Sequence, residues 1–185
     1  MQYGYRQVQL EGRGSTRFAI VMFLPDSIET LVRPIRERFD PDYSLVSGSL
    51  VLVAPFETVR SLGELTQIIR KETADISAPE IQFERLGDAY PSAPLIFWEI
   101  KPNDVIDRLY KNLYAALDLA LPYRQFSPHV TVAREISDHR VMLVKERIYP
   151  YLPEESFTPG AVDLIAPVAG QSWVSVRTFP LRVDE

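Results

Sequence analysis

The sequence has no cysteine and only two histidines, His129 and His139, among its 185 residues. The absence of cysteine excludes disulfide bonds, thiolate nucleophiles and zinc sites with sulfur ligands. Long apolar runs are also missing: the longest, 18–24, has seven residues. A membrane-spanning helix needs roughly 18–20. The first residues show no basic stretch followed by an apolar segment, so we predict a cytoplasmic protein without a membrane partner.

Positive charge is scarce as well. The chain carries 20 Lys and Arg residues against 25 Asp and Glu residues, and its net charge is −5. Proteins that coat long nucleic acids usually present a basic surface, because neutralising phosphates supplies much of their affinity. We therefore expect no long nucleic-acid tract as a partner. The content of hydrophobic residues, 46%, is that of an ordinary globular chain.

The pattern of apolar residues alternates between the periods of strands and helices. It predicts strands over 18–24, 49–55, 81–86, 95–100, 127–134, 161–168 and 173–181, and helices over about 26–39, 57–74, 104–120 and 138–148. Pro34 lies inside the first helix and predicts a kink or an early end there. Trp98 and Trp173 fall on apolar strands and are predicted to belong to the core.

Two parts of the chain repeat this order. The segment 24–26, Leu-Pro-Asp, corresponds to Lys-Pro-Asn at 101–103, an offset of 77 positions. The strand at 47–53 corresponds to 127–133 at an offset of 80. Similar offsets at two places indicate an internal duplication.

We therefore predict an α+β protein with two pseudo-symmetric lobes around a central cleft. Each lobe would be an antiparallel-rich sheet with two helices. Lobe one would cover about residues 17–90 and lobe two about 95–182, with strands free to exchange between them. Ligands bind preferentially at such interfaces.

The predicted strand over 127–134 contains side chains that are suited to catalysis. His129 and Thr131 are two positions apart, so their side chains point to the same face of a strand, about 6.5 Å apart along it. An imidazole exchanges protons near neutral pH, and a hydroxyl can donate to an oxygen of the same phosphate. This is half of a site for phosphoester chemistry. A histidine at such a position can also be structural, satisfying a hydrogen bond in the core.

The segment Pro128–Arg134 resembles the second His-x-Thr/Ser motif of the two-histidine phosphoesterase superfamily, which contains the 2'-5' RNA ligase-like proteins and cyclic nucleotide phosphodiesterases. Leu52–Phe56 resembles the end of that family's first motif, and the region Phe83–Trp98 is also similar. The resemblance extends over about residues 17–181. It implies two motifs that face each other across a cleft, one histidine acting as base and the other as acid.

The first motif departs from the family pattern. Counting back from Pro55, the histidine position holds Ser49 and the Thr/Ser position holds Val51. The internal repeat leads to the same alignment. A serine hydroxyl cannot serve as a general base at neutral pH. The resemblance thus implies that His129 is the remaining acid or base and that Thr131 donates to phosphate.

Other side chains near the motifs are candidates for binding substrate. Ser47 and Ser49 offer hydroxyls at the position of the first motif. Strict alternation places Arg134 on the face opposite His129, where it would form salt bridges unless a bulge turns it toward phosphate. Tyr123 precedes the second motif and can either stack on a base or cover the edge of the core.

The remaining candidates have structural interpretations. His139 is predicted to lie at the surface beside a helix start, distant from His129, so the two histidines offer no metal site. Asp40 and Asp42 are interpreted as turn residues. We expect no cofactor.

Two functions follow as hypotheses. The first is a divergent 2'-5' RNA ligase-like phosphoesterase that binds a small nucleotide or an RNA terminus and hydrolyses or ligates slowly. The alternative is a non-catalytic phosphate-binding or protein-interaction module with the same fold. A third, minor interpretation is an unrelated structural α+β protein.

Overall fold

The computed structural model describes residues 16–122, 126–168 and 172–182. Its elements are β1 (Thr16–Phe23), α1 (Asp26–Phe39), β2 (Ser49–Thr58), α2 (Leu62–Thr73), β3 (Phe83–Asp88), β4 (Leu95–Ile100), α3 (Asp104–Ala116), β5 (His129–Arg134), α4 (Val141–Ile148), β6 (Ala161–Pro167) and β7 (Trp173–Pro180). The predicted α+β class, with antiparallel strands and four helices, is confirmed. Within the described ranges, no helix is both long and apolar enough to cross a membrane.

The strands form one sheet in the order β3-β4-β5-β2-β1-β6-β7, and every neighbouring pair is antiparallel. β3 lies beside β4 and β6 lies beside β1, so each half of the chain adds a strand next to one from the other half. β1 and β2 share seven registered residue pairs. At the centre, β2 and β5 are joined by a single registered pair, Leu50 with Val130. The predicted lobe boundaries remain a prediction.

The helix starts show how local sequence chemistry sets the element bounds. The predicted start of the second helix at residue 57 is wrong, because β2 continues to Thr58 and α2 begins at Leu62. Ser61 accepts a hydrogen bond from the Glu64 amide at 3.2 Å, and the Glu64 carboxylate accepts one from the Ser61 amide at 2.7 Å. This reciprocal capping box satisfies amides that the first turn leaves unbonded. The predicted Asn103 cap of α3 is confirmed by bonds from the amides of residues 105 and 106.

Pro34 does not end α1, which continues to Phe39. Pro34 is exposed. The carbonyl that it leaves without an amide partner belongs to Thr30, which is also exposed, so water can bond to it and the helix continues.

The two faces of the sheet differ in what covers them. The helices pack on one face, where Phe18, Ile20 and Met22 of β1 join the main core. The intervening residues Ala19 and Val21 point to the other face, as alternation requires, and form a small apolar cluster with Ile165. Trp98 is fully buried in the main core as predicted, whereas Trp173 lies half-buried beside the small cluster.

Candidate active site

The end of β5 contains an irregularity that decides where Arg134 points. The pairing of β5 with β4 passes from Thr131 directly to Ala133, so Val132 is an extra residue. Val132 and Ala133 are both buried. A β-bulge of this kind shifts the alternation by one residue. Arg134 therefore returns to the face of His129 and Thr131, in contrast to the position that strict alternation predicts.

β2 repeats the same irregularity. Its pairing with β1 passes from Val51 to Val53, with Leu52 as the extra residue, and Leu52 and Val53 are both buried. Among the first six residues of β2 the buried positions are the second, fourth and fifth, and the same positions are buried in β5. The internal repeat found in the sequence is thus visible in the backbone, and the three outward positions of β2 are Ser49, Val51 and Ala54.

The two motif strands meet at the centre of the sheet. Leu50 and Val130, which are equivalent under the repeat, form the registered pair between β2 and β5. In an antiparallel pair the flanking residues face each other. Val51 is therefore placed opposite His129.

A cavity of about 340 Å³ lies over this meeting point, on the face of the sheet away from the helices. Five of the predicted site residues line it: Ser47, Ser49, His129, Thr131 and Arg134. Tyr123, the sixth, lies outside the described residues. A larger groove of about 640 Å³ runs along α3. Since none of those five residues lines that groove, we take the smaller cavity as the candidate site.

The His129 ring is partly exposed and held in one orientation. Its Nδ1 lies 2.7 Å from the Ser127 carbonyl oxygen, and its ring centroid lies 4.6 Å from that of Phe97. A carbonyl oxygen can only accept a hydrogen bond, so Nδ1 carries the proton in this contact. Nε2 is then the nitrogen that can accept a proton from a ligand or, once protonated, donate one.

The cationic side of the cavity is organised around a buried carboxylate. The Asp40 side chain is 0% exposed and accepts from Arg36 Nε at 2.9 Å, while Arg36 is itself 4% exposed. The other Asp40 oxygen lies 3.4 Å from Arg134 Nε, at ion-pair distance without hydrogen-bond geometry. It also accepts from the Asp42 amide at 3.0 Å, which agrees with the turn predicted there. The prediction missed the second role of Asp40, which is to hold two arginines that line the cavity.

Arg17 and Trp173 line the cavity at its other side. The guanidinium carbon of Arg17 lies 5.6 Å from the centroid of the Trp173 ring, at the distance of a cation–π contact. Trp173, which was predicted to belong to the core, is half-buried and packs against the small apolar cluster, and it also lines the cavity on this face of the sheet. Alternation along β1 is a signal that could have identified Arg17, since it shares a face with Ala19.

Helix α1 also positions the start of β2. The Glu29 carboxylate accepts a hydrogen bond from the Gly48 amide at 3.0 Å, and the Gly48 carbonyl accepts from the Leu24 amide at 3.0 Å. Burial raises the pKa of Glu29, while the bond from Gly48 opposes this rise. A Cβ on Gly48 would lie 2.5 Å from Glu29 Oε2 and 2.8 Å from Leu24 Cδ1. A side chain at position 48 would therefore require the ends of the Glu29 and Leu24 side chains to move.

His139 is exposed in the short 3-10 helix before α4 and does not line the cavity. No group of three or more His, Asp or Glu side chains is arranged to hold a metal ion in the described part of the chain.

The sequence pattern of the 2'-5' RNA ligase superfamily matches residues 24–171. The chain belongs to this superfamily. The resemblance to two-histidine phosphoesterases that the motifs predicted is thereby confirmed.

Individual relatives cover nearly the whole chain. The protein GK0864 of Geobacillus kaustophilus, provisionally named a phosphoesterase, is 28% identical over 88% of this chain and 95% of its own. A similarly named protein of Bacillus pumilus is 28% identical over 89% of this chain and 97% of its own.

Solved structures share the fold. E. coli LigT in complex with 3'-AMP superposes with a TM-score of 0.67 at 15% identity, covering 91% of this chain and 99% of LigT. The protein TT0787 of Thermus thermophilus gives 0.64 at 15% identity, covering 91% of this chain and all of its own. At such identities the likeness establishes the fold alone.

Proposed function

We propose that the cavity binds the phosphate of a small nucleotide or of an RNA terminus, and that His129 supports slow hydrolysis or ligation at a 2',3'-cyclic or 2'-5' phosphodiester. The observation that carries the proposal is the convergence of His129, Thr131 and Arg134 on one cavity of about 340 Å³. LigT, a structural neighbour, has been solved with 3'-AMP, ATP and NADP+. We propose the cytoplasm as the compartment, which suits a chain without cysteine.

Each of the three side chains has a role that its chemistry permits. Arg134 is a permanent cation whose planar guanidinium can form charge-assisted hydrogen bonds to phosphate oxygens. The Thr131 hydroxyl donates to a further phosphate oxygen. His129 Nε2 takes a proton from the attacking water as the oxygen–phosphorus bond forms, while the bond from phosphorus to one ribose oxygen breaks. The departing ribose oxygen takes its proton from solvent.

The first motif explains why the reaction is slow. Ser49 and Val51 stand where the second histidine and its partner hydroxyl are expected, and neither side chain titrates near neutral pH. One positioned acid or base contributes about 10²–10⁴-fold to a rate. This deficit also supports the second candidate, a module that binds phosphorylated ligands without turning them over.

Hydrolysis of a 2',3'-cyclic nucleotide by the wild-type protein and by His129→Ala tests the proposal. We expect a low wild-type rate that falls by about 10²-fold or more in His129→Ala. His139→Ala is the matched control and should leave the rate unchanged, because His139 is exposed away from the cavity. Equal rates for wild type and His129→Ala would remove His129 from the chemistry. Binding of a nucleotide without turnover would favour the second candidate.

A gain of activity tests the first motif separately. The double variant Ser49→His/Val51→Thr restores the pattern of the family on a strand whose bulge and buried positions are those of β5. We expect its rate to exceed that of the wild type by about 10²-fold. An unchanged rate in a folded double variant would indicate that the loss extends beyond these two side chains.

A further inference from the structure

The groove along α3, of about 640 Å³, lies apart from the candidate active site. Asp104, Asp107 and Tyr110 of α3 line it, and Glu84 of β3 contributes from another element. The groove extends to Ser127, just before β5. Because it shares none of the five site residues that line the smaller cavity, a ligand bound there would have a role of its own.

The charged side chains of the groove are mainly acidic. Four carboxylates and two cations line it, so the net charge of these groups is −2. Each cation forms an ion pair of 2.6 Å with one carboxylate: Arg85 with Glu99, and Lys111 with Asp107. The other two carboxylates, those of Glu84 and Asp104, are exposed and have no counter-ion among the described residues. The helix dipole favours an acidic residue in the first turn of α3, so the charge of Asp104 alone does not indicate a ligand.

The hydroxyl of Tyr110 does indicate one. Tyr110 and Tyr114 are one turn apart on α3, and both residues are only 5% exposed. The Tyr114 hydroxyl accepts a hydrogen bond from the Ala54 amide at 3.3 Å. The Tyr110 hydroxyl has no hydrogen-bond partner within the described ranges. A buried tyrosine usually has such a partner, because an unbonded hydroxyl costs free energy.

The surroundings of Tyr110 direct its hydroxyl toward the groove. The Tyr110 ring is stacked on that of Phe126, with the centroids 3.8 Å apart and an angle of 9° between the planes, and both residues line the groove. Burial raises the pKa of Tyr110, and the nearby Tyr114 and Asp107 add to this rise. Asp107 also lines the groove. The hydroxyl is thus available to a ligand that lies against α3 beside the Asp107 carboxylate.

From these observations we infer that the groove binds aliphatic polyamines, which are alkyl chains with two or more ammonium groups. One ammonium group donates to the Tyr110 hydroxyl, and others pair with the carboxylates of Glu84 and Asp104. The methylene chain packs on the apolar part of the lining, which includes Ile100 and Leu121. The volume lies within the ~300–1,000 Å³ typical of small-ligand sites. The inference does not depend on the proposed function, because the two sites are separate.

Calorimetry with spermidine, n-butylamine and magnesium chloride at one ionic strength tests the inference. We expect spermidine to bind at least about tenfold more tightly than each of the other two. The reason is that n-butylamine has a single ammonium group and Mg²⁺ has no apolar chain. Absence of spermidine binding would overturn the inference. Equal affinity for n-butylamine or Mg²⁺ would also overturn it, since the groove would then not recognise a polyamine.

A variant of Tyr110 tests the role of the hydroxyl. Tyr110→Phe should weaken spermidine binding about tenfold, through the loss of a hydrogen bond to a charged group. It should not lower the melting temperature, because the hydroxyl has no partner in the described part of the fold. Tyr114→Phe is the matched control: it should lower the melting temperature, since the Ala54 amide loses its acceptor, and leave spermidine binding unchanged. Unchanged spermidine binding in Tyr110→Phe, or a lowered melting temperature of that variant, would overturn the inference.

A variant of Glu84 tests the contribution of the acidic side chains. Glu84→Gln should weaken spermidine binding about two- to fivefold, the factor for an exposed ion pair. Glu146→Gln is the matched control, because Glu146 is exposed on α4 and does not line the groove. An effect of Glu84→Gln no larger than that of Glu146→Gln would overturn the inference, since spermidine would then respond only to the net charge of the chain.

Discussion

The buried ion pair between Arg36 and Asp40 should contribute far more to stability than an exposed ion pair of the same spacing. Asp40→Ala removes the carboxylate from a guanidinium that is 4% exposed and leaves that charge uncompensated. Removing one partner of a buried pair costs about 3–5 kcal/mol, a large part of the ~5–15 kcal/mol of a typical domain. For a chain of this length, about 2–4 °C are lost per kcal/mol, so the melting temperature should fall by about 6–20 °C.

The control lies on the same helix. Glu37 accepts from Arg33 Nε at 3.2 Å with the same spacing of four residues, but these side chains are 48% and 66% exposed. Glu37→Ala should therefore change the free energy of unfolding by no more than about 0.5 kcal/mol. Urea unfolding followed by circular dichroism measures both variants. A loss in Asp40→Ala no larger than that in Glu37→Ala would refute the argument that burial makes the Asp40 pair essential.

Two further predictions concern the contact of α1 with the start of β2. Gly48→Ala should lower the free energy of unfolding by about 1–3 kcal/mol, because its Cβ would meet Leu24 and Glu29. Gly160→Ala, whose Cβ meets no atom within 4 Å, should have no comparable effect in the same urea titration. Glu29→Gln keeps an oxygen that can accept from the Gly48 amide but removes the charge. Because burial raises the folded-state pKa of Glu29 above its ordinary 4.5, protonation favours the folded state. The contribution of Glu29 to stability is complete below that ordinary value and is lost as the pH rises through the folded-state pKa. Unfolding curves between about pH 4 and 7 should therefore show the wild type losing stability relative to Glu29→Gln as the pH rises, and a pH-independent difference would contradict this assignment.

The elements that local sequence determines were predictable. β4 has the predicted bounds 95–100, because an apolar run lies between two proline-containing turns. The start of α3 follows from its Asn103 cap. The error at the start of α2 arises from tertiary pairing, since residues 57 and 58 extend β2 by pairing with 17 and 16 of β1. A periodicity within one segment contains no information on such a partner.

In the site, too, local sequence predicts some features, whereas others depend on contacts between distant segments. His129 and Thr131 are two residues apart on a strand, so their position on one face could be predicted from the sequence. The direction of Arg134 depends on the extra residue Val132, and a bulge is defined only against the register of a neighbouring strand. The contact of Arg134 with Asp40 joins β5 to the end of α1, and neither residue's neighbours in sequence indicate it.

The single registered pair between β2 and β5 has a consequence for how the cavity can respond to a ligand. Next to it, the β1–β2 ladder has seven registered pairs, so the sheet is least restrained where the two motifs meet. The distance between β2 and β5 therefore depends on Glu29 of α1, which is bonded to Gly48 just before β2, and on Asp40 at the end of that helix, which lies beside Arg134 of β5. An anion that draws Arg134 away from Asp40 would alter the distance between β2 and β5 while the longer ladders on both sides stay intact.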